Sequence, residues 1–501
     1  MVYPHTFRTE HSETRTTSST YGDFYHKTKE VRISIQPNLL KILRALDGNR
    51  RQFIENLREM VKIPSVSGSL KYVDEVQRCI DLVINWLVKL GVRYQPFNIG
   101  RYKLEGKENK RPSVILASLG ENFKKKTVCV YAHLDVNLPD LEQWKTDPFD
   151  LTEVDLRLYG SGVASGKGTL MSWFNLIYAF QEANVDIPVN IKFIIESLHY
   201  YDSDGLEEFI SKQRIHFLSN VDYYIVCDSE WLVEKTPCLV YGSVGRLRLT
   251  CKMERNESAE SDMKEDMAKI FGELCSERGE ILVQNFHDLV KQITPDEEHI
   301  YESIKFDVAD IRDNLPEHQK SWDKVKLLMN FWRLPSIAVE DTEECTCEKN
   351  DKSKIKRNFT VKIVQNQIVD VAIKQITKHI KKTCQKLDIK HKVDIEVVST
   401  SRPWMEDILS VNYFAARRAL IQIYRQDPNM IREDCDMKVV TMLSVLTERC
   451  VLVLPLGDNH INAGRSNENI RRANYYDGMK VLGAYLFQIA ELADRENSHE
   501  L

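Results

Sequence analysis

Apolar residues near the start of the chain recur with the periodicity of an α-helix. Two such series are separated by Pro64 and a Ser-Gly cluster, which are typical of a helix end and a turn. The first series is Phe53, Ile54, Leu57, Met60 and Val61, and the second is Val73, Val76, Ile80, Val83 and Leu87. The pattern predicts helices over most of residues 39–90.

Short runs of β-branched and other apolar residues come next. Runs of this length and composition are typical of buried strands, and helical patterns separate several of them. The predicted strands are 114–117, 127–131, 189–195 and 223–226, and the predicted helices are 169–182 and 205–212. This alternation indicates an α/β sheet with a substantial parallel part.

The composition of the chain changes after Gly245. The following residues carry more charge and include a polar stretch at 340–357, but they still show helix and strand patterns. The α/β pattern returns in the last hundred residues. The predicted organisation is a disordered tail at 1–37, an α/β domain made of 38–245 and 403–501, and a smaller inserted α+β domain at 246–402.

Composition limits the partners that we expect. The 501 residues carry a formal net charge of −5 and include no apolar run of membrane-spanning length, so we expect neither nucleic acid nor a membrane as a partner. The first residues lack the apolar core of a signal peptide, which predicts a cytoplasmic protein. Of eleven cysteines, Cys129 and Cys227 lie in apolar runs and are expected to be buried thiols, whereas Cys345 and Cys347 lie in a polar stretch.

Two places next to predicted strands carry residues that could bind a metal ion or line an active site. His133 and Asp135 follow the run 127–131, and residues two apart at a strand end project to the same side. A carboxylate that holds one ring nitrogen of a histidine is common at metal sites, although such a pair can also simply close a turn. The second place is the glycine-rich loop 158–168, whose spacing differs from that of a phosphate-binding loop. Its glycines are expected to allow close backbone approach near a pocket.

Both places belong to a longer ordered series of motifs. The series includes HLDV (133–136), DPF (147–149), GKG (166–168), KTPCLVYGSVG (235–245), SRPW (401–404), LPLG (454–457), SNEN (466–469) and NYYDGMK (474–480). In this order the motifs resemble the zinc-dependent family of cytosolic non-specific dipeptidases, carnosinases and aminoacylases, with the non-specific dipeptidases nearest. The resemblance implies an aminopeptidase-like catalytic domain with a mixed central sheet flanked by helices. It also implies an inserted α+β lid and dimerisation domain.

The resemblance further implies a site with two Zn or Mn ions. In that family one carboxylate bridges the ions, each ion takes a histidine and a second carboxylate, and a nearby Glu is the general base. His133 matches the first histidine ligand, and Asp228 matches the carboxylate on the same ion. Asp135 matches the residue that orients His133. These three residues are intact.

Four other positions depart from the family pattern. The bridging carboxylate falls on Ser165, the carboxylate of the second ion on Tyr200, and the last histidine ligand on Gly464. The general base falls on His199. Because a zinc site normally needs at least three protein ligands, the resemblance implies either no metal or a single weakly held zinc ion, at His133 and Asp228.

The substrate side also differs from the family pattern. A histidine in the inserted domain that reaches the partner's active site has no counterpart in residues 252–266. The glycine-rich block used for the substrate carboxylate falls on 432–436, where Asp434 and Cys435 replace two glycines. Side chains at these positions are expected to fill that space.

Two hypotheses follow from these losses. The first is a pseudo-peptidase, which has no catalytic activity and acts by binding or dimerisation. The alternative is an active metal-dependent dipeptide hydrolase with a rebuilt single-metal site, in which His199 acts as base or ligand and His460 offers another imidazole. Under both, the resemblance implies a homodimer through the inserted domain and a dipeptide-like ligand.

Overall fold

The computed structural model describes residues 35–276, 279–310, 312–344 and 354–497. The predicted tail up to residue 34, Cys345 and Cys347 lie outside the described residues. In chain order the helices are α1 (Pro37–Gly48), α2 (Arg50–Val61), α3 (Val73–Lys89), α4 (Gly166–Glu182), α5 (Leu206–Gln213), α6 (Met263–Gly272), α7 (Pro295–Ser303), α8 (Lys324–Trp332), α9 (Val369–Lys386), α10 (Val411–Tyr424), α11 (Lys438–Thr447) and α12 (Arg472–Asn497).

The strands are likewise numbered in chain order. They are β1 (Arg93–Phe97), β2 (Arg101–Leu104), β3 (Lys107–Lys110), β4 (Val114–Leu119), β5 (Thr127–His133), β6 (Thr152–Val154), β7 (Arg157–Tyr159), β8 (Asn190–Glu196), β9 (Tyr223–Val226), β10 (Cys238–Ser243), β11 (Gly245–Glu254), β12 (Ser336–Glu344), β13 (Lys354–Ile363), β14 (Lys392–Thr400), β15 (Trp404–Met405), β16 (Asn429–Glu433), β17 (Val451–Val453) and β18 (Asn469–Arg471).

The main sheet is mixed, which confirms the predicted fold class. Its strand order is β1-β4-β8-β5-β9-β17-β10-β15, with β16 paired to β10. Strand β5 lies parallel to both β8 and β9, whereas β4 pairs antiparallel with β1 and β8. All seven residues of β5 are buried, which accounts for its continuous apolar run. The parallel strands bring their carboxyl ends to one edge of the sheet, where a site is expected.

Helix α4 is the central helix of this layer. Its residues from Gly166 to Ile177 are all buried, and it packs against α1, α2, α12 and β5. A Cβ atom at Gly166 would lie 2.1 Å from the carbonyl oxygen of His133, and one at Gly168 would lie 1.8 Å from that of Val163. Close backbone approach, as predicted for the loop 158–168, therefore requires glycine at both positions.

A second, antiparallel sheet contains the strands between residues 245 and 400. Its order is β12-β13-β11-β14, and helices α6 and α9 contribute to its core. That core includes Leu247, Leu249, Ile270, Phe359, Val361 and Ile376. The domain boundaries themselves stay predictions.

Two expectations from composition concern thiols and membranes. Cys129 and Cys227 are buried free thiols, as expected for cysteines in apolar strands. Across the described ranges, no helix combines the length and the apolar character that a membrane crossing requires. The cytoplasmic location stays a prediction.

Candidate metal centre

Three chain segments at the carboxyl edge of the main sheet carry the candidate ligands. His133 is the last residue of β5, and Asp228 follows β9 by two positions. A short 3₁₀ helix, His199–Tyr201, lies three positions after the end of β8. Because β5 is the neighbour of both β8 and β9, the three segments meet.

His133 is held from two sides. Its side chain is 1% exposed. Its Nδ1 lies 3.1 Å from the carbonyl oxygen of Asp135 and 3.4 Å from the Oδ1 of the same residue. Its Nε2 lies 3.5 Å from Oδ2 of Asp228 and 3.2 Å from the backbone nitrogen of Gly166. One ring nitrogen is thus held by Asp135 while the other faces Asp228.

Asp135 is a fully buried carboxylate with several donors around it. Ser67 Oγ donates to it at 2.6 Å, and the backbone N–H groups of His199 and Tyr200 donate at 3.1 and 2.9 Å. Asp135 therefore positions the turn that carries His199 in addition to the ring of His133. The second role has no local signal in the sequence, because the two segments are far apart in the chain.

His199 joins His133 and Asp228 in one group. Its ring stacks on that of His133 at a centroid distance of 4.2 Å, and its Nε2 lies 3.5 Å from Oδ2 of Asp228. One nitrogen from each histidine and one carboxylate oxygen lie within 4.8 Å of one another. In the part of the chain that the structure describes, this is the one such group of three. His460 is exposed and lies outside it.

The charges of these groups are coupled. Burial disfavours a charged imidazole at His133, but hydrogen bonds with Asp135 and Asp228 outweigh it and raise its pKa to about 10. Burial and the neighbouring His133 lower the pKa of His199 to about 4. Burial also opposes the charge on Asp228, but the hydrogen bond with His133 lowers its pKa to about 2. Near pH 7 and without a bound ion, the group therefore contains an ionised carboxylate at Asp228, a protonated imidazole at His133 and a neutral imidazole at His199, and His133 must release a proton to bind a metal ion.

The residues at the positions where the family binds its second ion make other contacts. Ser165 Oγ donates to Glu468 at 2.9 Å, and the same carboxylate accepts the N–H groups of Gly162, Ala164 and Ser165. The phenol of Tyr200 lies against Gly464, where a Cβ atom would come within 2.5 Å of the phenol oxygen. The described side chains here do not form a second set of metal ligands.

A cleft of about 600 Å³ opens beside the metal group. His199, Tyr200 and Asp228 line it, together with several acidic and basic side chains. The acidic ones are Asp202, Glu230, Glu433, Asp434 and Asp436, and the basic ones are Lys438 and Arg465. Asp434 and Cys435 both line this cleft, as expected for side chains in place of glycines.

Glu433 is a cleft residue whose individual role the sequence did not indicate. It follows Arg432 at the end of β16, and Ser229 Oγ donates a hydrogen bond to it. Burial raises the pKa of Glu433 to about 7. A carboxyl group with such a pKa can exchange a proton near neutral pH.

Glu433 predicts a pH dependence of stability. Because its pKa is higher in the folded chain than the usual 4.5, its contribution is fully present below about pH 4.5 and is lost as pH rises through about 7. Glu433→Gln, which stays neutral, is expected to gain stability relative to the parent chain between these pH values, by at most on the order of 3 kcal/mol. Urea unfolding of both chains at pH 5 and pH 8 measures this difference in the free energy of unfolding. Glu448→Gln, at an exposed side chain, is the control, and an equal difference for both variants would contradict the prediction.

The fold and the group together define a class of protein. A mixed α/β sheet that gathers imidazole and carboxylate side chains at its carboxyl edge is typical of metal-dependent hydrolases. Residues 129–488 match the sequence model of peptidase family M20/M25/M40, so the chain belongs to this peptidase family. This confirms the family resemblance.

Individual relatives agree with this assignment over nearly the whole chain. The human Beta-Ala-His dipeptidase is 31% identical over 475 residues, which cover 91% of this chain and 94% of the relative. The Cys-Gly metallodipeptidase of Schizosaccharomyces pombe is 27% identical over 473 residues, covering 91% and 99%. The crystal structure of human carnosine dipeptidase 1 superposes with a TM-score of 0.81 at 30% identity, covering 91% of this chain and all of that one.

Proposed function

We propose that this M20-family protein is a dipeptide hydrolase that uses one divalent metal ion, held by His133, His199 and Asp228. The observation that carries the proposal is the position of His199. Its Nε2 lies as close to Asp228 as that of His133 does, at 3.5 Å. It thus offers a third ligand in place of the bridging carboxylate that this chain has lost at Ser165.

The donor set fits one ion and does not fit two. Two imidazoles and one carboxylate are a known set for a catalytic Zn²⁺ ion, with a fourth position left for water or substrate. Tyr200 and Gly464 offer no comparable set for a second ion. A bound Zn²⁺ would supply Lewis acidity toward the peptide carbonyl and toward water.

The chain's own residues account for the remaining steps. Glu433 is our candidate general base, because it lines the same cleft and burial raises its pKa to about 7. It takes a proton from water as the water oxygen bonds to the peptide carbonyl carbon. The proton then passes to the leaving nitrogen, the C–N bond breaks, and two amino acids result.

Arg465 is the cleft cation best suited to the substrate carboxylate. Lys438 is already paired with Asp202 at 2.7 Å. No ion pair of Arg465 occurs among the described residues, and it directly follows Gly464 at the edge of the metal group. A dipeptide carboxylate bound there would place its peptide bond towards the histidines.

The test measures metal content and hydrolysis with the full chain. We expect one Zn²⁺ or Mn²⁺ per chain and hydrolysis of β-Ala-His or Cys-Gly. His133→Ala and His199→Ala are each expected to weaken metal affinity by more than about 100-fold and to abolish turnover. His460→Ala removes an exposed imidazole outside the group and is expected to change neither. A chain that binds no ion would overturn the proposal.

A non-catalytic role is the second candidate, favoured by the imidazole of His199 at the family's general-base position. In that case the chain would bind a metal ion or dipeptide without turnover. Dipeptide binding measured by calorimetry, with no product after prolonged incubation with Zn²⁺ or Mn²⁺, would favour this pseudo-peptidase over the hydrolase.

Homodimer formation through 246–402 remains a proposal under both candidate functions. It is supported by the edge strand β14, where Val397 and Val398 are 44% and 62% exposed.

A further inference from the structure

A buried row of hydroxyl and carboxyl groups lies behind His199. Tyr131 and Glu196 are each 2% exposed, and Ser203 is 8% exposed. The phenol oxygen of Tyr131 lies 2.5 Å from Oε1 of Glu196 and 3.0 Å from Nδ1 of His199. Ser203 Oγ donates to the same Glu196 oxygen at 2.8 Å. The row therefore runs from the carboxyl group of β8 to the imidazole at the metal group.

The distances between these groups indicate which atom donates and which accepts in each hydrogen bond of the row. Glu196 Oε1 lies within hydrogen-bond distance of two hydroxyl groups, so it accepts from both. The phenol of Tyr131 has one proton, and Glu196 Oε1 is its nearer partner. Tyr131 therefore donates to Glu196, and its oxygen accepts the Nδ1–H of His199. With Nδ1 donating to Tyr131, the nitrogen left to bind a metal ion is Nε2, which faces Asp228.

We infer that Tyr131 and Glu196 are positioning residues that hold His199 in the tautomer required of a metal ligand. The inference rests on the proposed function, because it assigns a role within the same metal centre. Tyr131 would do for His199 what Asp135 does for His133. In each case an oxygen atom accepts from the ring nitrogen that does not face Asp228. Such partners fix the orientation of a ligand and typically change metal affinity 10- to 100-fold.

The first measurement reads the tautomer directly and needs neither metal nor turnover. The metal-free chain is labelled with ¹⁵N-histidine, and the His199 resonances are identified by their loss in His199→Gln. We expect Nδ1–H in the parent chain and a shift towards Nε2–H in Tyr131→Phe, which keeps the ring and removes the acceptor oxygen. A parent chain with His199 in the Nε2–H form would overturn the inference.

The second measurement is Zn²⁺ affinity by competition with a chromophoric chelator. Tyr131→Phe and Glu196→Ala are expected to weaken binding by about 10- to 100-fold, and Glu196→Gln, which keeps an acceptor oxygen, by less. Tyr413→Phe is the matched control. It removes another buried phenol, one that donates to the Val240 carbonyl at 2.6 Å, and it should leave affinity unchanged.

The two measurements separate the inference from the proposed function. If the parent chain binds no Zn²⁺, the proposed function fails, and the tautomer still decides the inference. If the parent chain binds Zn²⁺ and Tyr131→Phe binds it equally well, the inference fails and the proposed function stands. A loss of affinity in Tyr413→Phe equal to that in Tyr131→Phe would also overturn the inference, because the effect would then be one of general packing.

Discussion

Replacement of Asp135 by alanine is expected to lower the free energy of unfolding by about 3–5 kcal/mol and to abolish metal binding. The carboxylate is fully buried and accepts hydrogen bonds from Ser67 and from the N–H groups of His199 and Tyr200. Its removal leaves these donors without their acceptor and leaves the buried ring of His133 without its counter-charge. Urea unfolding at 25 °C and Zn²⁺ titration measure the two effects.

Two further variants make the Asp135 experiment specific. Asp135→Asn keeps the shape and an acceptor oxygen but loses the charge, so its effect is expected to lie between the parent chain and Asp135→Ala. Asp394→Ala removes a carboxylate that is 67% exposed on β14 and is expected to stay within about 0.5 kcal/mol of the parent chain. If Asp135→Ala were as mild as Asp394→Ala, the buried contacts of Asp135 would not contribute as described.

The sequence predicted the first part of the site because its signals are local. A continuous apolar run predicts a buried strand, and His133 and Asp135 at its end were expected to project to the same side. Their contact, 3.4 Å between Nδ1 and Oδ1, agrees with this expectation. The glycines at 166 and 168 were likewise recognisable as positions of close approach, and the structure gives the atoms that they approach.

The rest of the site depends on contacts between distant segments. Glu468 accepts three backbone N–H groups of the loop at 162–165, and Tyr131 contacts Glu196 on the neighbouring strand. No local pattern marks such pairs, because strand order and register are set by the packing of the whole sheet. The family pattern placed His199 at the general-base position, but its distance to Asp228 depends on how β5, β8 and β9 lie side by side.

Element ends were less predictable than the elements themselves. Strand β17 ends at Val453. Pro455 follows two positions later, and proline has no N–H to donate to a neighbouring strand. Helix α4 begins at Gly166, three residues before its predicted start, because the glycines that argue against a helix by propensity are required there by packing.

Restoring the family's side chains is expected to raise the bound metal from one to two ions per chain. The variant combines Ser165→Asp, His199→Glu, Tyr200→Glu and Gly464→His, which returns a bridging carboxylate, a general base and both ligands of the second ion. The added carboxylates at 199 and 200 lie near Asp228, and the one at 165 lies near Glu468, so these groups repel one another without metal. The metal-free variant should therefore be less stable than the parent chain, and Zn²⁺ should raise its melting temperature more. Dipeptide turnover is expected to rise by roughly 100-fold or more, as general-base catalysis and a two-metal site return.

Tyr200 decides whether the second ion can bind. A Cβ atom at Gly464 would lie 2.5 Å from the phenol oxygen, so a histidine there clashes unless the phenol is removed, and the φ of +67° adds backbone strain for any side chain at this position. A triple variant that retains Tyr200 but carries the other three changes is expected to stay at one ion or fewer. Metal analysis of both variants after dialysis gives the stoichiometry. Two ions in the triple variant would show that Tyr200 does not close this position, and a single ion in the quadruple variant would contradict the predicted second ion. If the prediction holds, Tyr200 is one of the residues, with Ser165 and Gly464, that keep a two-metal peptidase site from forming on this fold.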